Sequence, residues 1–155
     1  NTADPKKLFK LFISLSEMGI KIIVPLHPRT KKILEENTYL EKIGKNIEII
    51  EPLGYIDFLR LMSNSKFILT DSGGIQEEAL MLDIPCITLR NNTERVVTLK
   101  DGANTLVGMD PLKLSLAIKR IQKIKRSYPK PPLWDDKVAE RIVNVISDHP
   151  ELFFL

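Results

Sequence analysis

The sequence predicts an α/β fold, with a Rossmann-like parallel sheet covered by helices on both faces. Short apolar runs alternate with segments of helical periodicity along the 155 residues. The runs are apolar throughout rather than at every second position, as in strands buried on both faces. A glycine pair also sits where one run hands over to a helix, the place where such sheets bind ligands.

The elements follow in order. Asp4-Pro5 starts a helix, with a cap and then proline in the first turn. Leu8, Leu11, Phe12, Leu15 and Met18 recur at helical spacing, and Gly19 stops the helix. Residues 21–26 read as a strand, and Pro28 opens a helix to residue 37. Residues 46–51 form a second strand, closed by Pro52. Residues 55–63 are a short helix with Phe58, Leu59 and Met62 on one face. Residues 66–70 are a strand, 74–82 a helix, 85–89 a strand and 104–107 a last short strand. A helix over 111–126 ends before a proline-rich, linker-like turn at 128–133, and residues 135–147 form the final helix. One domain of ordinary size accounts for the length.

The run Asp71-Ser72-Gly73-Gly74-Ile75-Gln76-Glu77-Glu78 joins the third strand to its helix. Without a Cβ, the glycine backbone admits a ligand closely. The first N–H groups of the helix are unpaired and partly positive, which suits a phosphate, and Ser72 adds a hydroxyl. Glu77 and Glu78 follow one turn in. Helix neighbours point about 100° apart, so one of the two can face a ligand there. An acidic side chain at that place is the usual holder of a ribose diol. A plain strand-to-helix turn, with acids serving the helix dipole, fits the same spacing. Two other segments leave strands at the same edge of the sheet: His27-Pro28-Arg29, and residues 90–95.

Composition narrows the classes. Net charge is +3 with both signs interspersed, which does not suggest nucleic acid and is compatible with an anionic small ligand. The single Cys86 lies in an apolar run and reads as a buried structural thiol. No Cys/His/Asp/Glu spacing suggests a metal, no cofactor is expected, and no apolar stretch reaches membrane-spanning length. A reducing cytoplasm is the expected compartment. The apolar tail Leu152-Phe153-Phe154-Leu155 reads as a packing element against another domain or subunit.

The stretch DSGGIQEEALMLDIPCITLRNNTERVVTLKDGANTLVG, residues 71–108, resembles the C-terminal half of non-hydrolysing UDP-N-acetylglucosamine 2-epimerases. The resemblance extends upstream through Pro25-Leu26-His27-Pro28-Arg29-Thr30 and Glu51-Pro52-Leu53-Gly54-Tyr55-Ile56-Asp57-Phe58. The chain departs from the family at Leu80, where proline is common, at Asp83, where glycine is common, and at Val96, where proline usually follows the arginine. The resemblance implies the C-terminal half of a glycosyltransferase-B type fold and a site for UDP and UDP-N-acetylhexosamine. It assigns the uracil pocket to Phe58 with the backbone near Leu53, the diphosphate to Ser72, Gly73, Gly74 and Arg95, and the ribose to Glu78. From periodicity alone Phe58 is helix core, and Arg95 could equally pair with Glu94 or Asp101. His27 matches a position near a second, regulatory UDP-sugar site between domains. Asn1 matches the end of a His-Arg-x-Glu-Asn motif, so the resemblance implies an N-terminal domain that carries the acid–base carboxylates. It also implies a homodimer when full length. No catalytic residue is then expected within these residues, which read as the UDP-holding half of an epimerase. The alternatives are the nucleotide-binding domain of a UDP-sugar glycosyltransferase, or a stand-alone nucleotide-binding or regulatory module.

Overall fold

All six predicted helices and all five predicted strands are present in the computed structural model, which describes residues 4–121, 123 and 127–149. The helices are α1 (Pro5–Glu17), α2 (Pro28–Glu36), α3 (Tyr55–Ser63), α4 (Gly73–Met81), α5 (Pro111–Ile121) and α6 (Val138–Asp148). The strands are β1 (Ile22–Pro25), β2 (Ile47–Ile50), β3 (Ile68–Thr70), β4 (Cys86–Thr88) and β5 (Asn104–Leu106). Two short 3-10 helices, Leu40–Lys42 and Val96–Gly102, were not foreseen. The expected end of α5 at Arg126, the tail at 152–155 and the Asn1 motif lie outside the described residues.

Local chemistry sets the boundaries. The Asp4 carboxylate caps α1, accepting from the N–H groups of Lys6 at 3.0 Å and Lys7 at 3.2 Å. Gly19, with φ of +64°, takes the left-handed turn that ends it. The last helix starts three residues later than expected because Asp135 serves as an outside brace. Its carboxylate accepts from Lys137 N–H at 2.9 Å and from Arg141 at 2.9 and 3.1 Å.

Every strand pairing is parallel, but the sheet is in two ladders. β1 pairs with β2, and β4 lies between β3 and β5. No ladder joins β1 to β3 among the described residues. Ile22 and Leu26 donate to Asn46 and Ile50 carbonyls at 2.9 and 3.0 Å, so the even positions of β1 face β2. The odd positions face away, and one of them is Pro25, which has no N–H to donate. Both ladders nonetheless contribute to one core, in which Leu26, Ile47, Ile87 and Val107 pack with Leu8, Phe12 and Leu15 of α1 and Leu114 and Ile118 of α5. β4 is buried along its whole length, which explains its unbroken apolar run. Burial pushes the Cys86 thiol up to about 12, so it stays protonated and serves as core.

The proline-rich stretch is not a free linker. Tyr128 is buried against Leu80 and Ala103, with Trp134 packed alongside. Asp83 holds the segment from the end of α4. Its Oδ1 accepts from Tyr128 N–H at 2.9 Å and from Lys130 Nζ at 2.7 Å, and Lys130 also donates to the Leu80 carbonyl at 2.6 Å. Asp83 has φ of +57°, the left-handed conformation that favours glycine and that Asn and Asp tolerate. An aspartate there accepts some backbone strain and provides a clasp.

The clasp makes a pH-dependent prediction. The hydrogen bond from Lys130 first, then that from Tyr128 N–H, holds the Asp83 carboxyl below its ordinary value of 3.8. A lowered carboxylate pKa stabilises the fold above the unfolded value, and that stability is lost as pH falls through the folded one. Asp83→Asn keeps a residue that tolerates the backbone and removes the charge. Its melting temperature should lie below wild type at pH 7, and the gap should close below the ordinary aspartate range. An equal gap at both ends would show that the charge contributes nothing.

Candidate functional site

The carboxyl ends of β3, β4 and β5 are level, with Thr70, Thr88 and Leu106 side by side. The loops that leave them bring the predicted residues together. Ser72 is the N-cap of α4, and Gly73 and Gly74 are its first two residues. Thr70 Oγ1 accepts from Ser72 N–H at 3.0 Å and fixes the exit from β3. The Ser72 hydroxyl makes no capping bond, so the first N–H groups of the helix have no side-chain acceptor.

The two glycines differ. Neither has a positive φ, so backbone conformation does not require them. A Cβ on Gly73 would stand 2.6 Å from Glu94 Oε1 and 3.3 Å from Arg95 Nε. A Cβ on Gly74 would meet no protein atom within 4 Å. Protein side chains therefore occupy the face of Gly73, and Gly74 keeps the open approach. The open approach to the helix start therefore falls at Gly74.

Arg95 stands over this helix start. Its Nε lies 3.5 Å from Glu77 Oε2, rather than pairing with Glu94 or Asp101. Glu94 pairs instead with Arg90 at 3.3 Å. The Glu94 carboxyl is held below its usual value, first by its own backbone N–H, with smaller pulls from Arg90 and Arg95. Glu77 is thus engaged by Arg95, whereas half-buried Glu78 has no ion pair among the described residues. Of the two acids, Glu78 is the one available to a ligand.

Phe58 combines both expected characters. It is half-buried and packs against Met62, Ala79, Ile84 and Cys86, so much of the ring is core. Ile75 of α4 packs against the same cluster. Leu53, 38% exposed, lies in the loop that precedes α3. His27 sits away from this group as the N-cap of α2, where its Nδ1 accepts from Arg29 N–H at 3.2 Å.

A cleft of about 580 Å³ opens at the same edge of the sheet, lined by Asp4, Lys7, Arg90, Asn91, Asn92 and Gly108. It does not include Gly74 or Glu78. The helix-start site is open surface at Gly74.

Sequence reasoning missed the residues beneath the site. Gln76, Thr98 and Asn104 are buried polar side chains bonded to one another and to Thr93. In the sequence, Gln76 and Thr93 are only letters of the 71–108 stretch.

A family model described as UDP-N-acetylglucosamine 2-epimerase matches residues 1–147. The chain is 50% identical over 128 residues to the UDP-N-acetylglucosamine 2-epimerase of Methanocaldococcus jannaschii, covering 81% of this chain and 35% of that protein. The crystal structure of the Methanocaldococcus jannaschii UDP-GlcNAc 2-epimerase in complex with UDP-GlcNAc and UDP aligns with a TM-score of 0.81 at 45% identity. That alignment covers 92% of this chain and 40% of that one. The chain thus spans less than half the length of these relatives. An Escherichia coli heptosyltransferase with ADP aligns with a TM-score of 0.54 at 16% identity, a likeness of fold alone. The architecture is that of one half of a glycosyltransferase-B type fold.

Gly74 supplies a test of the site's geometry. Glycine early in a helix costs stability, and a methyl group here meets no protein atom. Gly74→Ala should therefore stabilise the fold by up to about 0.5–1 kcal/mol, a rise of a few degrees in Tm. Gly73→Ala should gain less, because its methyl must displace Glu94. Thermal melts decide, and a loss of stability in Gly74→Ala would mean that its face is not open.

Proposed function

The chain belongs to the UDP-N-acetylglucosamine 2-epimerase family, and from that premise we propose that it holds the UDP of a UDP-N-acetylhexosamine while carbon 2 is inverted. One observation carries the reading. At a single helix start, an open glycine, a first turn with no side-chain cap, a Glu78 with no ion pair among the described residues and the Arg95 cation stand together. In this assignment the diphosphate lies on Ser72, Gly73 and Gly74 with Arg95 alongside, and Glu78 accepts from the ribose hydroxyls. The uracil lies by Leu53 and the exposed rim of Phe58. A ring on a flat base adds on the order of 1 kcal/mol beyond burial.

The chemistry explains why the nucleotide site belongs to the mechanism. Carbon 2 of the sugar has no adjacent carbonyl, so simple removal of its proton gives no stabilised anion. The proposed route removes the proton at carbon 2 and breaks the bond from carbon 1 to the UDP oxygen, leaving a glycal. UDP then adds back to carbon 1 as a proton is delivered to carbon 2 on the other face. Negative charge grows on the departing diphosphate, where Arg95 and the positive end of α4 stabilise it. Gripping UDP throughout also keeps the two pieces aligned for re-addition.

We assign the acid–base groups to a domain outside these 155 residues, which would cover the open face at Gly74. The full-length protein is proposed as a homodimer. His27, whose Nδ1 caps α2, retains its other edge for a second, regulatory UDP-sugar. A glycosyltransferase of the same architecture would share the fold, but the family match favours the epimerase. No helix among the described residues is long and apolar enough to cross a membrane.

The complete protein, incubated with UDP-N-acetylglucosamine in deuterated water, should form UDP-N-acetylmannosamine and place deuterium at carbon 2. The 155-residue piece alone should bind UDP weakly and convert nothing. Conversion without deuterium at carbon 2, or turnover by the piece alone, would contradict the proposal.

A further inference from the structure

Gln76 has no exposed surface, although it lies in the first turn of α4, two residues from the open face of Gly74. Its Oε1 accepts from Thr93 Oγ1 at 2.7 Å and from Asn104 Nδ2 at 3.0 Å. From those two partners, bonds run on to the backbone of one residue. Thr93 Oγ1 accepts from Arg95 N–H at 3.0 Å. Asn104 Nδ2 also donates to Thr98 Oγ1 at 3.0 Å, and that hydroxyl donates to the Arg95 carbonyl at 2.7 Å. The bonds close a ring: Gln76, Thr93, Arg95, Thr98, Asn104, and back to Gln76. Thr88 of β4 anchors it by donating to Asn104 Oδ1 at 2.7 Å. Glu77, the neighbour of Gln76, takes the guanidinium of the same arginine.

Stability alone does not call for this arrangement. Gln76 Nε2 is buried with no partner among the described residues, which is a cost. Apolar side chains of similar shape would fill the space without it. What they could not do is fix both polar ends of one residue in a loop. Arg95 has φ of −93° and ψ of 53°, neither helical nor extended, so its neighbours must hold it in place.

We propose that Gln76 and Asn104 are positioning residues that act through Thr93 and Thr98 to aim the Arg95 guanidinium at a diphosphate bound on the start of α4. The inference rests on the nucleotide reading above and adds to it the means by which the cation is held. Neither residue touches the ligand; both act through Arg95. Their loss should therefore be felt by the diphosphate and not by the nucleoside.

The test is titration of UDP and of uridine into the complete protein, wild type and variants, with melting curves for each. Arg95→Met should weaken UDP about 10- to 100-fold and leave uridine unchanged. Gln76→Met and Thr93→Val should each weaken UDP about tenfold, again sparing uridine. Combining Gln76→Met with Arg95→Met should add little to Arg95→Met alone, because both remove one interaction. If Gln76→Met does not fold, Thr93→Val in the half-buried loop carries the test. UDP binding at wild-type strength by Gln76→Met or Thr93→Val, or additive losses in the double variant, would overturn the positioning role while leaving the nucleotide site standing. A wild-type protein that binds neither UDP nor uridine would overturn the nucleotide reading itself.

Discussion

A buried ring of hydrogen bonds from Gln76 through Thr93, Arg95, Thr98 and Asn104 holds the loop after β4 against the first turn of α4. The site depends on this contact. It brings Arg95 within reach of Glu77, which occupies one carboxylate and leaves the other, Glu78, available. It also lays Glu94 and Arg95 across Gly73, so the open approach to the helix start falls at Gly74. Cation, acid and open backbone are thus arranged by groups that a ligand would not touch. A buried network of this kind specifies one geometry at a cost that an apolar filling would avoid.

The fold supplies the platform on which the ring can close. β4 is covered on both sides, and Thr88 at its end reaches Asn104 at the start of β5. Parallel pairing levels the strand ends, so the loops after β3 and β4 emerge side by side. At the far end of α4, Asp83 and Lys130 fasten the segment that leads toward α6. The helix that bears the proposed site is therefore held at its start by the ring and at its end by the clasp. Movement of α4 would disturb both.

Much of this was legible in the sequence. Short apolar runs and caps such as Asp4-Pro5 located the strands and helices, because burial in a sheet and capping are local requirements. The gap between β1 and β3 was harder to read, since it depends on which edge of the strand Pro25 faces. The strap at 128–130 looked like a linker, because proline-rich composition says nothing of an aspartate 45 residues upstream. Asp83 itself was visible as a departure from the family, and only the contacts of its carboxylate explain it. At the site, the glycines, Glu78 and Arg95 announced themselves by residue type. Gln76, Thr98 and Asn104 did not, because a buried amide or hydroxyl is indistinguishable in sequence from a solvated one.

In the proposed assignment Glu78, left free by the Glu77–Arg95 pair, holds the ribose of UDP at the start of α4. Titration of UDP and 2′-deoxy-UDP into wild type, Glu77→Gln and Glu78→Gln separates the roles of the two acids. Wild type should prefer UDP over the deoxy ligand. Glu78→Gln should lose about 1.5–3 kcal/mol of UDP affinity together with most of that preference, and Glu77→Gln should keep the preference. Equal behaviour of the two variants, or full discrimination of the 2′-hydroxyl by Glu78→Gln, would contradict the assignment and leave the carboxylate pair as helix-terminus chemistry.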